Sequence, residues 1–333
     1  MSGTRTVVAK VVAAATTLTA LNAALAAEQP LFVSKRITDP ATDVFTPGIE
    51  GPTVDAAGNL YVVSFRNRES IGRLKPGAAH FDLFITLQPT GEPPGSRASG
   101  LRVDREGRIY VANFNKKRVL VIDPVQAGQP SVAKVYFASS QFHQPNDLAL
   151  ATDGTLYASD PLFSAGTGQV WRIARNADGT VSGQIMTHQR PGGKMGVTNG
   201  IDLSPDGKTL YVSESPTREI WSYRIDGTNL ADAQQLMKFT GPTGPELDGL
   251  RTDVDGKIYV ARNGSKSIAV IDPATKTVVR TIPTVGKNPS NLSFGGPDGK
   301  TVFVTQVDGQ FIESFRVDRP GREPCAIGAA AAC

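Results

Sequence analysis

Cysteine and histidine are scarce in this chain of 333 residues, which contains two Cys and three His. Both cysteines, Cys325 and Cys333, lie near the end of the chain, and neither has the spacing or neighbours of a zinc site. No Gly-x-Ser-x-Gly motif occurs, so neither a cysteine nor a serine nucleophile is indicated. Methionine is rare, and no long amphipathic helical pattern is present. These absences argue against zinc-finger proteins, thiol enzymes and helical bundles.

The first 26 residues have the pattern of a secretory signal peptide. Arg5 and Lys10 supply positive charge around the start of an apolar stretch over residues 11–25, and Ala24-Leu25-Ala26 is a small-x-small cleavage pattern. The stretch is short and rich in Ala and Thr, which is weak for a membrane anchor. We therefore expect cleavage, a periplasmic or secreted mature protein, and no stable membrane insertion.

Net charge argues against a nucleic-acid partner. The formal charge of +4 falls to +2 when Arg5 and Lys10 are removed with the leader. No basic cluster stands out elsewhere in the sequence. Glycine and proline are frequent, with 34 and 23 residues, which suits many short strands and turns.

A repeat motif recurs six times along the chain. Each copy opens with a polar residue, continues as an alternating segment, turns at a glycine and ends in β-branched and aromatic residues. The turn glycines are spaced about 43 to 53 residues apart, which is near the length of a propeller blade. They are Gly58, Gly107, Gly154, Gly207, Gly256 and Gly299.

Each motif predicts a hairpin, and two further strand-like runs separate successive motifs. Four strands in each of six units predict an all-β, six-bladed β-propeller over residues 45–318. Residues 27–44 are expected to form a lead-in and residues 319–333 a tail, with the end from Ala326 to Cys333 frayed. Pairing of the two cysteines in an exported chain stays open. Acids beside the turn glycines are interpreted as turn formers rather than catalytic groups: Asp55, Asp104, Asp153, Asp206, Asp255 and Asp298.

The residues that open the motifs are expected to form a ring around the central channel. We call them the channel ring: Glu50, Ser99, Asn146, Asn199, Asp248 and Asn291. Every member carries a side-chain oxygen, which selects a hard divalent cation. One Ca²⁺ is therefore predicted, with Mg²⁺, Mn²⁺ or Zn²⁺ able to substitute, and the two carboxylates would balance its charge. A water-filled polar channel mouth without an ion is the alternative.

The return strands of the hairpins predict a second ring of polar residues at the same end of the disc. Its members could support the channel ring or contact substrate, or they could simply be hydrated strand ends. They are Ser64, Asn113, Asp160, Glu214, Arg262 and Gln306.

At these positions the sequence resembles the senescence marker protein, gluconolactonase and luciferin-regenerating enzyme family of six-bladed propellers. The pieces that carry the resemblance are Glu50-Gly51-Pro52, Pro145-Asn146-Asp147, Asn199-Gly200, Leu247-Asp248-Gly249 and Phe294 to Gly299. The resemblance implies a divalent metal bound by Glu50, Asn199 and Asp248. It also implies that Asn146 helps to hold the metal or the substrate, and that Asp248 acts as general base.

Two positions depart from the family pattern. Gln144 stands where animal sugar lactonases have Arg, and Ser99 stands where many bacterial relatives have Asn. Both changes weigh against assuming a sugar acid as the substrate, and both leave the three implied metal ligands intact.

The hypothesis that follows is metal-dependent hydrolysis of a small-molecule lactone or similar ester. Asp248, or alternatively Asp202, would accept a proton from the attacking water, and the amides of Asn146 and Asn199 would stabilise the oxyanion. His143 is the second choice of base. Two alternatives stay open: a non-catalytic propeller that binds a ligand or protein on its disc face, and another reaction, such as epimerisation or condensation, on the same metal.

Overall fold

A computed structural model describes residues 30–87, 94–124, 131–240, 246–331 and 333, and the predicted signal peptide lies outside this range. Strand β1 (Lys35–Arg36) comes first in the described chain. The first blade contains β2 (Thr53–Val54), β3 (Leu60–Val63), β4 (Ser70–Leu74) and β5 (Asp82–Thr86). The second blade contains β6 (Ala98–Val103), β7 (Ile109–Asn113), β8 (Arg118–Ile122) and β9 (Ala133–Ala138). The third blade contains β10 (Leu148–Leu150), β11 (Leu156–Leu162), β12 (Thr167–Arg175) and β13 (Val181–Ile185). A short 3₁₀ helix, Phe163–Ala165, separates β11 from β12.

The remaining blades complete a six-bladed propeller. The fourth blade contains β14 (Thr187–His188), β15 (Thr198–Leu203), β16 (Thr209–Glu214), β17 (Glu219–Asp226) and β18 (Asn229–Lys238). The fifth blade contains β19 (Glu246–Thr252), β20 (Ile258–Asn263), β21 (Ser267–Asp272) and β22 (Thr277–Pro283). The sixth blade contains β23 (Pro289–Gly295), β24 (Thr301–Gln306) and β25 (Phe311–Arg316). Consecutive strands pair antiparallel within each blade, and β14 adds a parallel edge strand to the fourth. The predicted all-β, six-bladed architecture is confirmed.

Five of the six acids beside the turn glycines accept hydrogen bonds from turn amides, as interpreted from the sequence, whereas Asp255 pairs with Arg319. Asp104 Oδ1 accepts a hydrogen bond of 2.8 Å from the backbone amide of Arg108, and Gly107 adopts a φ of 80° that favours glycine. The hydroxyl of Tyr110 donates to Asp104 Oδ2 at 3.1 Å. These contacts close the turn and tie it to the second strand, so this acid has a structural role.

The hydrophobic core consists of six clusters, one at each junction between neighbouring blades. Innermost strands such as β6 and β15 are buried along their whole length, while outer strands such as β22 are largely exposed. These innermost strands also carry buried polar and charged residues, such as Arg102 in β6 and Asp202 in β15, which need partners inside the protein. The clusters hold the blades in a closed ring.

The ring is closed by the N-terminal strand. Strand β1 pairs antiparallel with β25, with Lys35 opposite Ser314, and so becomes the outer strand of the sixth blade. The Ser34 hydroxyl also donates to Glu313 Oε2 at 2.5 Å, across 279 residues of sequence. Residues 27–44, predicted as a lead-in, therefore contain a strand of the propeller, and the propeller begins before residue 45.

The described residues of the C-terminal tail pack on the propeller, so the prediction of a frayed end from Ala326 onwards was wrong for residues 326–331: the Ala331 amide donates to the carbonyl oxygen of Pro297 at 3.0 Å. Helix α1 (Arg322–Ala326) follows the last blade, and Cys325 and Cys333 form a disulfide. The Gly321 amide donates to the carbonyl oxygen of Gly299 at 3.0 Å, which places the tail on the face where the motif hairpins turn. This face is opposite the motif openings, so the tail covers the other end of the channel. Among the described residues, no helix is long and apolar enough to span a bilayer.

Candidate functional site

β-Bulges direct the side chains of the channel ring. The register between the first two strands of a blade shifts across Ser99-Gly100, Asn199-Gly200 and Asp248-Gly249, and the sixth blade shifts just before Asn291. A bulge inserts one extra residue into a strand and changes the direction of its side chain. In four of the six motifs, the opening residues therefore depart from regular strand pairing next to the channel axis.

Close backbone contact between neighbouring blades brings the channel ring together. A Cβ added to Gly51 would lie 2.0 Å from the carbonyl oxygen of Ser99, and one added to Gly200 would lie 2.5 Å from that of Asp248. Both distances are far inside van der Waals contact. The motif glycines are therefore required where the innermost strands of adjacent blades meet.

Glu50 and Asp248 place two carboxylates within electrostatic range of each other. Burial raises the pKa of Asp248 well above its usual value, and repulsion from Glu50 raises it further. Burial also raises the pKa of Glu50, and repulsion from Asp147 adds to this effect. Water can reach both side chains through the channel, but the surrounding protein removes much of their hydration. Such a pair favours a nearby cation.

Polar neighbours hold the carboxylates in place. The Gly51 amide donates to Glu50 Oε2 at 2.6 Å, and Asn263 Nδ2 donates to Asp248 Oδ2 at 3.2 Å. A hydrogen bond from Asn199 also favours the ionised form of Asp248. The structure therefore brings Glu50, Asn199 and Asp248 into one polar site, as the motif spacing predicts.

The amides of the site have defined partners. Asn199 Nδ2 donates to Ser215 Oγ at 2.8 Å, so its Oδ1 is the atom that can bind a ligand. Asn146 Oδ1 accepts from the Ser99 hydroxyl at 2.8 Å and keeps a second lone pair, while its Nδ2 can donate. Ser99, which departs from the family pattern, thus orients Asn146.

A buried cluster of charged residues lies between the channel ring and the tail. We call it the ion cluster: Arg102, Arg251, Arg322, Asp147, Asp202 and Glu323. Arg251 Nη1 lies 2.9 Å from Asp147 Oδ2, Arg102 Nε lies 2.5 Å from Glu323 Oε1, and Arg322 Nη2 lies 2.5 Å from Asp202 Oδ1. Three guanidinium groups thus face three carboxylates, and the ion cluster balances its own charge.

The charges and oxygen donors of the site are compatible with a divalent cation. Because the ion cluster is neutral, it supplies no surplus positive charge to Glu50 and Asp248, although the nearby charge of Arg251 partly offsets the rise in the pKa of Glu50. Among the described residues, no three His, Cys, Asp or Glu side chains form a metal-binding group. A metal at this site would therefore also need amide oxygens from Asn199 and Asn146. Two carboxylates with neutral oxygens are a donor set that suits Ca²⁺.

Of the two alternative bases predicted from sequence, Asp202 is not placed for catalysis, and His143 stays a prediction. Asp202 is fully buried in the ion cluster, where Arg322 and the other guanidinium groups overcome the effect of burial and lower its pKa. Its Oδ2 also accepts from the Thr252 amide at 2.8 Å. It therefore lies towards the tail and cannot serve as the base. The His143 backbone amide donates to both carboxylate oxygens of Asp160, which fixes this segment, and no contact links the His143 ring to Asp248.

Most of the second ring makes internal contacts instead of supporting the site. Asp160 accepts from Gln169 Nε2 at 2.7 Å and from the Trp171 indole at 3.0 Å, in addition to backbone amides. Glu214 is bound by Arg190, and Gln306 donates to Glu313. Two side chains that form hydrogen bonds with channel-ring side chains, Ser215 and Asn263, each lie one position after a member of the second ring. Bulges produce this offset, and the sequence gives no clear sign of it.

The ion cluster was also missed, although the sequence contains a signal for it. Gly-Leu-Arg occurs in both the second and the fifth motif and places Arg102 and Arg251 at equivalent points of β6 and β19. A repeated arginine in a buried strand requires a buried anion. Asp147, beside Asn146, is that anion for both residues.

The fold and site define a six-bladed propeller with a carboxylate and amide centre at one end of its channel. Residues 49–308 match the model of the SMP-30/Gluconolactonase/LRE-like region, and the chain belongs to this family. The family resemblance inferred from the motifs is therefore confirmed.

Two relatives and one solved structure illustrate the similarity. Gluconolactonase of Zymomonas mobilis is 28% identical over 283 residues, which are 77% of this chain and 75% of the relative. Diisopropyl-fluorophosphatase of Loligo vulgaris is 26% identical over 293 residues, which are 83% of this chain and 91% of the relative. The solved structure of regucalcin, a calcium-binding protein of Agrobacterium tumefaciens, aligns with a TM-score of 0.63 and 19% identity over 83% of this chain and 92% of that one. The two relatives support a hydrolase function, and the structure supports the fold.

Proposed function

We propose that this protein is an exported, Ca²⁺-dependent hydrolase that opens a lactone or small ester at the channel ring. The observation that carries the proposal is the close placement of Glu50 and Asp248 beside a neutral ion cluster, where burial and repulsion between acids oppose their ionisation unless a cation neutralises them. Family membership and the two named hydrolases support the reaction class. The terminal disulfide and the leader pattern support export to an oxidising compartment.

The residues have separate roles in this mechanism. Glu50, Asn199 and Asp248 would hold the ion, with Asn146 beside it, and the ion would supply Lewis-acid polarisation of the carbonyl group. Asp248 accepts the proton of the water that attacks the carbonyl carbon and returns it to the alkoxide that leaves as the acyl C–O bond breaks, and Asn263 keeps its carboxylate oriented. The product is the ring-opened hydroxy acid.

Asn146 supports the reacting oxygen. Its orientation by Ser99 leaves Nδ2 to donate to the oxygen on which negative charge develops. The ion cluster holds Asp147, the next residue, in a fixed position below it. The amide is therefore preorganised before substrate binds.

Calcium dependence can be tested by hydrolysis and by binding. The purified protein is stripped with a chelator and assayed on a panel of lactones and aryl esters, with and without added Ca²⁺. Activity should require Ca²⁺ and should fall at least about 100-fold in Asn199→Ala and Asp248→Asn. The exposed residues Asn176 and Asp226 provide matched controls, Asn176→Ala and Asp226→Asn, which should retain activity.

A binding measurement separates loss of metal from loss of folding. Ca²⁺ at about 100 times its dissociation constant should stabilise the wild type by about 2.7 kcal/mol, measured as a shift in thermal unfolding. The Asp248→Asn variant should remain folded and lose this shift. Hydrolysis that survives chelation would refute the metal dependence. Calcium binding without hydrolysis of any substrate would favour a binding propeller.

A further inference from the structure

A second polar feature lies at the ring end of the disc, between the fourth and fifth blades. The guanidinium carbon of Arg262 lies 4.4 Å from the centroid of the Phe239 ring. Arg262 is near the end of β20, and Phe239 directly follows β18. Stacking fixes the plane of a guanidinium group but leaves its charge unneutralised. Stacking on Phe239 therefore holds the positively charged guanidinium group of Arg262 in a fixed orientation.

This cation has no acidic partner in the part of the chain that the structure describes. Its Nε is buried without a hydrogen-bond acceptor, and no carboxylate contributes to its electrostatic surroundings. Burial and the neighbouring charge of Arg218 both lower the pKa of Arg262. Arg190 makes a useful contrast, because it stacks on Trp221 at 3.8 Å and is also paired with Glu214. Arg262 has the same kind of stacking contact and lacks the acid.

Arg262 is close to the reacting groups in the fold. Its Cα pairs with that of Leu247, the residue before Asp248. The next residue, Asn263, donates directly to the Asp248 carboxylate. A small molecule whose ester group lies at Asp248 could therefore reach the guanidinium with another substituent.

We propose that Arg262 binds a carboxylate of the substrate, so that the substrate class is a lactone or small ester that carries a separate carboxylate. A guanidinium group binds a carboxylate through two parallel hydrogen bonds, which matches a planar group held against an aromatic ring. The proposal rests on the proposed function for the reaction itself. The bound anion also supplies the countercharge that Arg262 lacks.

The test compares two substrates that differ only in charge. The probes are γ-butyrolactone with a carboxylate on its ring and the same lactone with a primary carboxamide, both assayed with Ca²⁺ present. The wild type should prefer the carboxylate in kcat/KM by about 10-fold to 100-fold. Arg262→Gln should lose this preference, and Arg262→Lys should keep part of it. The matched control is Arg280→Gln, since Arg280 stacks on Phe32 at 3.9 Å on an outer strand.

A binding experiment distinguishes failure of the proposed carboxylate site at Arg262 from failure of the proposed hydrolase function. Tetrahydrofuran carboxylate, which has no ester bond, is titrated calorimetrically into wild type and Arg262→Gln. Binding to the wild type alone supports the anion site even if neither lactone is hydrolysed. Equal hydrolysis of both lactones by the wild type, or an unchanged preference in a folded Arg262→Gln variant, overturns the anion site and leaves the hydrolase assignment intact.

Discussion

Replacing Glu323 with glutamine should destabilise the propeller strongly, although this residue belongs to the C-terminal tail. Glu323 Oε1 lies 2.5 Å from Arg102 Nε, and Oε2 lies 3.7 Å from Arg251 Nε. The side chains of both arginines are at most 1% exposed, whereas that of Glu323 is 15% exposed. The substitution keeps the shape of the side chain and leaves three guanidinium groups facing two carboxylates.

The size of the effect follows from this burial. Removing one partner of a buried ion pair costs about 3–5 kcal/mol. Because Glu323 retains some contact with water, we expect the lower end, about 2–3 kcal/mol in the free energy of unfolding. For a domain of about 300 residues, such a loss lowers the thermal midpoint by roughly 3–5 °C. Repulsion between Arg102 and Arg251, which Glu323 partly offsets in the wild type, would account for most of this loss of stability.

The matched control is a carboxylate that pairs with arginine on the surface. Glu106 lies 3.0 Å from Arg108 and is 64% exposed. Exposed pairs contribute about 0–1 kcal/mol, so Glu106→Gln should change the midpoint little. Both variants and the wild type are unfolded by heat and by urea under the same conditions. If Glu323→Gln costs no more than Glu106→Gln, the tail does not complete the ion cluster, and the charge count behind the proposed metal site loses its basis.

Three further outcomes are expected. Asn263→Ala should weaken Ca²⁺ binding about 10-fold in calorimetry, because the Asp248 carboxylate loses its orienting donor; unchanged affinity would contradict that role. Gly51→Ala should prevent expression of folded protein, since its Cβ would overlap a backbone oxygen of the next blade; a normally folded variant would show that the blades can separate. Hydrogen bonds from Arg316 lower the pKa of Asp298 to about 2, below the ordinary 3.8. The stability that wild type gains over Asp298→Asn should be complete above about pH 4 and disappear as pH falls through about 2; pH-independent urea midpoints in this range would argue against it.

The sequence predicts the blades and the central site because both depend on local repetition. Each motif encodes its own hairpin, and equivalent positions of a closed ring must meet at the axis. This places Asn199 beside Asp248 although 48 intervening residues separate them in the sequence. Glu50 joins the same site by the same symmetry.

Features that break the repeat are harder to predict. Strand β1 has two residues and no periodic pattern, and its partner is at the opposite end of the chain. The supporting residues Ser215 and Asn263 lie one position away from the predicted second ring, because bulges shift the register between paired strands. Neither a bulge nor a long-range pairing has a signature that composition or spacing can supply.

The tail illustrates a different limit. Its Ala-rich composition is typical of a frayed end, and Arg322 and Glu323 look like ordinary surface residues in the sequence. Their partners, Asp202 and Arg102, are inside the propeller and are reached only once the channel has formed. Burial of these charges is a property of the assembled ring, so local patterns do not show it.

The pairing of β1 with β25 also affects how the chain can be made. Lys35 and Arg36 are synthesised well before their partners Ser314 and Glu313, which lie 277 or more residues further along the chain. Until then the first and sixth blades cannot join, and the apolar surface that they share stays open to water. Ring closure therefore has to wait until β25 has been synthesised, and a nascent chain that stops before Phe311 would need a chaperone to prevent aggregation.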